Sequence, residues 1–296
     1  MGERRVIFEM IWIIIKLAMF YDFRSSLQME VTTKIKYKTL ENFVNAIRAQ
    51  GRYSFSREEV RSNFDLSDKA LNQALYRYTV KGKIAMVRYG FYAIIPPEYS
   101  NYGMLPPNLF IDDLMKSLRK RYYVALFSAA AYHGAAHQQP MTYYVITEKP
   151  ALRNLKNKKL SLNFYVKKAW KDEDIAQKKT DAGYINVSSP ELTALDLLTY
   201  DLSINRVFTV LEELVEAMKP SELARTVHNF PQTTSIQRLG YIIDKEIGRD
   251  KLAAVLKKEI RGRNLIPVPL LKGDKGAGEL DTDWRIIKNV ELESDL

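Results

Sequence analysis

The order of secondary-structure patterns between residues 35 and 97 constrains the fold more than any other feature of the sequence. Apolar residues recur at helical spacing from Leu40 to Ile47, and Gly51 ends that helix. Ser56 and Glu59 then fit a capping box, in which the serine side chain caps a helix and the glutamate reaches back to the serine amide. The sequence therefore predicts two short helices in succession at the start of this region.

A third helix and a β-hairpin follow. The helix is predicted to begin at Ser67 or Asp68 and to end at Gly82. Two runs rich in β-branched and aromatic residues then flank a Tyr89-Gly90 turn, which is typical of a hairpin. Three short helices and a hairpin are the order of a winged helix-turn-helix, whose third helix enters the major groove of DNA. We therefore predict a winged-helix DNA-binding domain over residues 35–97.

The exposed face of the third helix has the chemistry that DNA recognition needs. Asn and Gln side chains bond adenine edges in a bidentate manner, and Arg bonds guanine. No Asp or Glu occurs between Asp68 and Glu98, so phosphate groups would meet no acidic side chain there. The candidate DNA-binding residues are Ser56, Arg57, Arg61, Lys69, Asn72, Gln73, Tyr76, Arg77, Lys81, Arg88 and Tyr89. The alternatives are a solvated polar face in a small α+β domain and a winged helix that binds proteins.

The net charge of +10 is concentrated in two blocks. Residues 31–100 carry 12 basic and 6 acidic side chains, and residues 151–180 carry 9 and 3, so each block has a net charge of +6. Residues 181–296 carry 15 and 19, a net charge of −4. This asymmetry is typical of a nucleic-acid-binding region joined to a region with another task. Five lysines of the second block either contact nucleic acid or are solvated: Lys156, Lys158, Lys159, Lys167 and Lys168.

The predicted fold class is α+β, with an N-terminal winged helix-turn-helix followed by a mixed α/β body ending in a helical bundle. Helices are predicted over 108–119 and 123–136, strands over 141–147, 160–168 and 184–187, and further helices from Ser189-Pro190 to Ile260. The predicted boundaries are 1–34 for an N-terminal extension, 35–97 for the winged helix, 98–265 for an α+β domain and 266–296 for an extended C-terminal arm.

The N-terminal extension contains an apolar stretch, Val6–Phe20, that raises the question of a membrane. Glu9 and Lys16 interrupt this stretch, whereas a membrane-spanning helix needs about 20 apolar residues. Three interpretations stay open: a true start at Met29, an amphipathic helix packed on the protein, and a membrane-surface anchor. We expect no stable membrane association and a cytoplasmic location.

Few residues are available for catalysis or metal binding. The chain has no cysteine, which excludes disulfides, thiolate metal sites and cysteine nucleophiles. His133 and His137 are four residues apart, but no carboxylate lies between them in the HExxH manner. No serine lies in a GxSxG motif. We therefore expect no enzymatic activity, no cofactor and no metal site.

Five segments of the chain carry a resemblance to a known family. They read GFYAIIP at 90–96, YGMLPP at 102–107, YYVALFSAAAYHGAAHQQP at 122–140, GYINVSSPELTALDLL at 183–198 and QRLGYI at 237–242. The span from Leu40 to Ile260, about three quarters of the chain, resembles the AbiEi family, the antitoxins of type IV toxin–antitoxin systems. The segment at 122–140 is the most specific of these, whereas a winged helix alone is generic.

The resemblance implies two tasks, within phage defence. The winged helix would bind inverted repeats in the promoter of its own operon and repress it. The domain over 98–265 would counter a nucleotidyltransferase-like toxin from the neighbouring gene, without necessarily contacting that toxin. The family provides no catalytic residue to transfer. Two alternatives stay open: a ligand-sensing transcriptional regulator, and a nucleic-acid-acting enzyme that uses the winged helix for targeting.

Overall fold

A computed structural model describes residues 37–135, 141–200, 202–273 and 278–294. The predictions for the N-terminal extension, including a start at Met29, lie outside the described residues, and so does His137. The described chain has a mixed α+β architecture, which confirms the predicted fold class at that level.

Residues 37–95, called here the N-terminal unit, contain three helices and a three-stranded antiparallel sheet. The elements in chain order are α1 (Leu40–Ala49), β1 (Ser54–Ser56), α2 (Arg57–Asn63), α3 (Asp68–Val80), β2 (Ile84–Arg88) and β3 (Phe91–Ile94). The strands lie in the order β1-β3-β2. The sequence predicts the three helices and the hairpin, but it does not predict β1, because three residues are too few to display an alternating pattern.

Side-chain caps explain where α2 and α3 begin. The Ser56 hydroxyl accepts a hydrogen bond from the Glu59 amide (3.1 Å), and Glu59 Oε2 accepts one from the Ser56 amide (2.7 Å). This reciprocal pair confirms the predicted capping box. The Ser67 hydroxyl accepts a hydrogen bond from the Ala70 amide (3.3 Å) and so fixes the start of α3. The two starts determine which side chains of each helix point to the core.

The sheet of the N-terminal unit is covered on both faces. One face carries Ile84 and Ile94, which pack against the apolar side chains of α1, α2 and α3. The other face carries Phe91 and Ala93, which belong to the same buried cluster as the apolar residues that follow in the chain. The core therefore continues across residue 97, where the sequence predicts a domain boundary.

A polar contact also joins the N-terminal unit to the next helix, α4 (Ile111–Ser117). Arg52 Nε and Ser54 Oγ both donate to the same carboxylate oxygen of Asp113, at 3.2 and 2.9 Å. Arg52 Nη1 additionally donates to Glu59 Oε1 at 2.8 Å. A half-buried arginine with two carboxylate partners has a well-defined geometry, so this contact fixes the N-terminal unit on the body.

The body contains a six-stranded mixed sheet. Its elements in chain order are β4 (Tyr122–Val124), α5 (Leu126–Tyr132), β5 (Tyr143–Thr147), β6 (Leu155–Lys156), β7 (Ser161–Val166), β8 (Ile175–Thr180) and β9 (Gly183–Ser188). The strands lie in the order β6-β7-β5-β4-β9-β8. The pairs β4–β9 and β5–β7 are parallel, and the other neighbours are antiparallel.

Three parts of this sheet differ from the sequence prediction. The helix predicted over 123–136 begins only at Leu126, because the aromatic and β-branched residues of β4 pair with β5 and β9 instead. Strand β6 is not predicted, since it is only two residues long, and strand β8 is not predicted, since its two lysines and Gln177 hide the pattern of a half-buried strand. The strands β5, β7 and β9 lie where the sequence predicts them.

Helices form the next part of the body, as predicted. They are α6 (Pro190–Leu197), α7 (Ile204–Leu214), α8 (Pro220–Asn229), α9 (Thr233–Tyr241), a π-helical segment (Ile242–Ile247) and α10 (Asp250–Ile260). The Ser189 hydroxyl accepts from the Leu192 amide at 3.2 Å, and Pro190 occupies the first helical position. This arrangement is the start that the sequence predicts for α6.

The C-terminal segment is a small docked sheet and not the extended arm that the sequence predicts for 266–296. It contains β10 (Val268–Pro269), β11 (Glu279–Asp281) and β12 (Ile286–Lys288), in the order β10-β12-β11. The indole of Trp284 is fully buried on α9, where Gly240 leaves room for it. Burial of this large apolar side chain outweighs the glycine and proline content that favours an irregular arm.

Candidate nucleic-acid interface

Helix α3 is amphipathic, and its two faces have different environments. Leu71 and Leu75 are buried in the core of the N-terminal unit. The opposite side, called here the α3 face, is exposed and consists of Lys69, Asn72, Gln73, Tyr76 and Arg77. All five are candidate DNA-binding residues from the sequence, and the structure brings them together on one surface. Neither the body nor the hairpin covers this surface, since each of these side chains is exposed.

The side chains of the α3 face are available to a partner. Lys69, Gln73 and Arg77 make no side-chain hydrogen bond or ion pair with any other described residue. Tyr76 is 68% exposed, which is a large apolar area to leave in contact with water. Donors and apolar surface that lack partners among the described residues favour an external ligand.

The hairpin places a second group of candidates beside a tight turn. Tyr89 is 88% exposed at the tip, and Gly90 has a φ of +78°, a conformation that glycine adopts without strain. Arg88 precedes this turn and is half-buried. Lys81 caps the end of α3 and is exposed. The turn and the end of α3 therefore both present cationic or aromatic side chains to solvent.

Three predicted DNA-binding residues lie near α2, and the structure places them differently. Ser56 is buried and its hydroxyl serves the capping box, so it is not part of the exposed interface, which corrects its prediction as a DNA-binding residue. Arg57 Nη2 donates to Asp68 Oδ1 at 3.1 Å. Arg61 Nε lies 3.9 Å from the same oxygen. Both arginines therefore border the α3 face, with part of their charge balanced by Asp68.

Asp68 is the last acidic residue before the acid-free stretch of the N-terminal unit. It is the first residue of α3, where the positive end of the helix dipole and the two arginines stabilise a negative charge. No further Asp or Glu follows until Glu98. The positive charge of the α3 face itself therefore comes from Lys69 and Arg77, with no acidic residue along the rest of the helix.

Polar residues of the body form a buried group, called here the Asp196 cluster, that the sequence does not reveal. Lys167 Nζ donates to Asp196 Oδ1 at 2.7 Å, and the Tyr123 hydroxyl donates to Asp196 Oδ2 at 2.8 Å. The Lys167 ammonium also lies 4.5 Å from the centre of the Phe230 ring. Lys167 is thus neither solvated nor in contact with nucleic acid, which corrects both interpretations made for it from the sequence.

Electrostatics and burial identify the Asp196 cluster as part of the core. Burial raises the pKa of the Asp196 carboxyl, and the positive charge and hydrogen bond of Lys167, together with the hydrogen bond of Tyr123, oppose that rise. Burial likewise raises the pKa of Tyr123, with the neighbouring Asp196 carboxylate adding to the effect. Each ionisable group has its partner inside the cluster; Asp196 and Tyr123 are fully buried, and Lys167 is 8% exposed. The cluster is therefore part of the core, with its polar groups bonded to one another.

An open cleft of about 350 Å³ lies between α4 and the β8–β9 edge of the sheet. It is lined by Lys116, Arg121 and Trp170 among other residues, and the sequence gives no signal for it. Lys116 pairs with Asp112, and Arg121 pairs with Asp172 while stacking on the Trp170 ring. Two of the three cations that line the cleft are therefore paired with carboxylates of the same chain, and the third, Lys120, donates to the backbone carbonyl oxygens of Glu148 and Pro150.

His133 has a structural partner. Its Nε2 lies 2.7 Å from the carbonyl oxygen of Ser188, and burial lowers its pKa. Among the residues that the structure describes, no group of three or more His, Asp or Glu side chains has the arrangement of a metal site. In the same part of the chain, every helix is too short or too polar to cross a bilayer.

Comparison with solved structures finds a similar fold. The RV2827C protein from Mycobacterium tuberculosis, solved as a crystal structure, superposes with a TM-score of 0.59 over 83% of this chain and 89% of that chain. The two sequences are 17% identical, so the likeness concerns the fold alone. A comparison with curated proteins finds no match.

A family comparison covers the body. Residues 123–245 match the model of the AbiEi antitoxin C-terminal domain. This range begins in β4 and ends in the π-helical segment after α9, so it includes most of the six-stranded sheet and the Asp196 cluster. The match confirms, over residues 123–245, the resemblance seen in the sequence: this part of the chain is similar to the AbiEi antitoxin C-terminal domain.

Proposed function

We propose that the protein is the antitoxin and transcriptional autorepressor of a type IV toxin–antitoxin operon. The N-terminal unit acts as a winged helix-turn-helix that binds inverted repeats in the promoter DNA. The body, with its AbiEi antitoxin C-terminal domain, counters a nucleotidyltransferase-like toxin. The single observation that carries the DNA-binding part is the exposed α3 face.

The α3 face fits the major groove in its chemistry. Arg77 has the donors for a guanine edge, and Gln73 has the donor and acceptor for an adenine edge. Tyr76 offers an apolar surface of the kind that contacts a thymine methyl group. With Lys69 and Lys81 directed to phosphates, these residues supply both sequence readout and backbone positioning.

The hairpin extends the same surface along the duplex. Tyr89 and Arg88 lie at its turn, where a wing contacts the DNA backbone or the minor groove. Arg61 adds a cation beside the start of α3, although Asp68 reduces its net effect. This proposal assigns the hairpin to positioning and α3 to sequence specificity.

The antitoxin role rests on the family of the body. In a type IV system the antitoxin opposes the effect of the toxin on its target, so a direct complex with the toxin is not required. We assign no catalytic residue, cofactor or metal to this role. The promoter and the target of the toxin place the activity in the cytoplasm, without stable membrane association.

A promoter-binding measurement tests the DNA-binding part. Arg77→Ala is expected to weaken binding to the upstream promoter by about 1–3 kcal/mol if Arg77 contacts a base. Lys251→Ala is the matched control, because Lys251 is an exposed cation on α10, in the acidic part of the chain. Equal affinities for the wild type and for alanine variants at Asn72, Gln73 and Arg77 would contradict the assignment of α3.

Co-expression tests the antitoxin part. The full chain is expected to restore growth of cells that express the neighbouring nucleotidyltransferase-like gene. Arg77→Ala should restore growth equally well when the antitoxin is expressed from an unrelated promoter, because the α3 face serves repression only. No rescue by the wild-type chain would exclude this toxin as its counterpart.

The cleft beside Trp170 favours one second candidate, a ligand-sensing transcriptional regulator. The cleft is large enough for a small molecule and carries both an aromatic ring and polar groups. This candidate predicts that a small molecule changes promoter affinity and that Trp170→Ala abolishes the change. The absence of a nucleotidyltransferase-like gene next to the gene for this protein would favour the ligand-sensing regulator over the antitoxin.

A further inference from the structure

Two turns meet at an exposed surface that the proposed function does not use. Residues 157–160 connect β6 to β7, and residues 100–103 form a turn between the N-terminal unit and α4. Gly103 has a φ of +60°, which glycine adopts without strain. A Cβ atom at position 103 would collide with Lys159 Nζ. The glycine therefore lets the Lys159 ammonium lie against the turn that carries Tyr102.

Hydrogen bonds fix the shape of the β6–β7 turn. Asn157 Oδ1 accepts from the amides of Lys159 and Leu160, at 2.8 and 2.9 Å. The Asn157 amide donates to the carbonyl oxygen of Leu160 at 2.9 Å. Lys156 is the last residue of β6, and Lys158 lies within the turn. The three lysines are thus within three residues of one another, and their Cα atoms lie within about 11 Å.

This surface combines positive charge with an aromatic ring. It is called here the β6–β7 patch and consists of Tyr102, Lys156, Lys158 and Lys159. All four side chains are exposed, Tyr102 to 73%, and none has a side-chain hydrogen bond or ion pair with another described residue. The chain has no Asp or Glu between Glu98 and Asp112. It has none between Glu148 and Asp172 either, so both segments that form the patch lack acidic residues.

We propose that the β6–β7 patch binds a single-stranded segment of nucleic acid. The three lysines attract phosphate groups, and the exposed Tyr102 ring is a platform on which an unpaired base stacks. In a duplex the bases are paired and stacked on one another, so a surface tyrosine has no base face to contact. An acidic protein surface would pair with the lysines but would leave the ring without a role. The combination therefore favours a single strand.

The β6–β7 patch is distinct from the α3 face. The β1-β3-β2 sheet packs with one face on the core beneath α3, which includes Leu71 and Leu75. Its other face packs on the cluster that contains Leu160 and Leu162, at and after the β6–β7 turn. The sheet therefore separates the two cores on which these surfaces rest. The inference concerns a second nucleic-acid surface and does not depend on promoter binding.

The test is fluorescence anisotropy of the full chain with labelled single strands of about 15 nucleotides, near the upper site size of one single-strand-binding domain. One strand is oligouridine and the other is oligothymidine, and the tighter complex identifies RNA or single-stranded DNA as the source. Tyr102→Ala is expected to weaken binding about tenfold, whereas Tyr102→Phe keeps the ring and the affinity. Lys158→Ala should lower the slope of log affinity against log salt by about 0.7.

Matched controls come from exposed residues outside both surfaces. Tyr184→Ala removes a tyrosine that is 57% exposed on β9, and Lys251→Ala removes an exposed cation of α10. Both variants should keep the wild-type affinity for single strands. Arg77→Ala should keep it as well, although it weakens promoter binding, so the two nucleic-acid surfaces are tested independently.

Several outcomes would overturn the inference. A Tyr102→Ala variant with wild-type affinity for single strands would remove the stacking role on which it depends. An equal loss of promoter-duplex affinity in Tyr102→Ala would assign the patch to duplex DNA. Loss of single-strand binding in Arg77→Ala alone would place the strand on the α3 face. No binding of either strand by the wild type would leave an acidic protein as the partner that the lysines fit.

Discussion

The α3 face and the Asp196 cluster are both groups of polar side chains, yet they differ in burial and in internal bonding. On the α3 face, Gln73 and Arg77 are exposed and have no partner among the described residues. In the Asp196 cluster, Lys167 and Tyr123 both bond one carboxylate that is fully buried. The α3 face is expected to add little to the stability of the fold and is available for binding. The Asp196 cluster is buried, and its polar groups bond one another within the core.

Burial and internal bonding distinguish polar residues of this chain that support the fold from those that are available for binding. A buried ion pair depends on both partners, since removal of one leaves an uncompensated charge away from water. An exposed side chain without internal partners is replaced at little cost to the fold. Stability and DNA affinity should therefore respond to opposite sets of substitutions.

The largest expected effect is on the Asp196 cluster. Asp196→Ala is expected to lower the free energy of unfolding by about 3–5 kcal/mol, because the Lys167 ammonium stays buried without its carboxylate. Urea denaturation measures the change. Asp172→Ala is the matched control: it removes the exposed carboxylate beside Arg121 and should cost less than about 1 kcal/mol. Equal costs for the two variants would contradict the distinction between buried and exposed pairs.

The second prediction concerns the packing of the C-terminal sheet on α9. A Cβ atom at position 240 would lie 2.0 Å from a ring carbon of Trp284, so Gly240→Ala should lower the free energy of unfolding by about 1–3 kcal/mol. The double variant Gly240→Ala/Trp284→Leu should lose less than the sum of the two single variants, because the smaller side chain relieves the collision. Additive losses would show that the two residues do not touch.

A smaller effect is expected from pH. Burial lowers the pKa of His133 below its usual 6.5, so the unfolded chain binds a proton more readily than the folded chain does. The contribution of His133 to the free energy of unfolding is fully present above pH 6.5. It is lost as the pH falls from 6.5 through the lowered pKa of the folded state. Urea denaturation at pH 7 and pH 5 should show a smaller difference for His133→Gln than for the wild type. His228→Gln, at an exposed histidine, is the control.

The smallest change in stability is expected on the α3 face. Gln73→Ala and Arg77→Ala should each alter the free energy of unfolding by less than about 0.5 kcal/mol. The same variants should weaken promoter binding, measured by a gel shift. A decrease of more than about 1 kcal/mol in the free energy of unfolding would show that these side chains support the fold. That result would contradict the distinction between the α3 face and the Asp196 cluster.

The N-terminal unit could be predicted from the sequence because its signals are local. Ser56, Glu59 and Ser67 mark helix starts within three residues of the amides or side chains that they bond. The same local chemistry also misled the prediction at Ser56, because a serine that caps a helix and a serine that binds phosphate look alike in sequence. Only the burial of Ser56 distinguishes the two.

The Asp196 cluster and the C-terminal sheet could not be predicted because they depend on distant contacts. Lys167 and Tyr123 lie 29 and 73 residues from Asp196 in the chain. Trp284 bonds Asp244 across 40 residues and packs where Gly240 leaves space. No periodicity or spacing in the sequence indicates such pairs. From the sequence, Lys167 is therefore predicted on the surface and Trp284 in an irregular tail.

The β1-β3-β2 sheet packs on the three helices with one face and on the body with the other. Truncation is therefore a poor way to separate the proposed DNA-binding and antitoxin functions. A body fragment made by deleting everything before residue 98 would remove Val87, Phe91, Ala93 and Ile95 from the buried cluster that they share with Phe110, Leu114 and other body residues. Such a fragment is expected to self-associate through the apolar surface that this removal uncovers. Loss of rescue by the fragment would then report insolubility, so single exposed substitutions such as Arg77→Ala are the cleaner way to silence one task and keep the other.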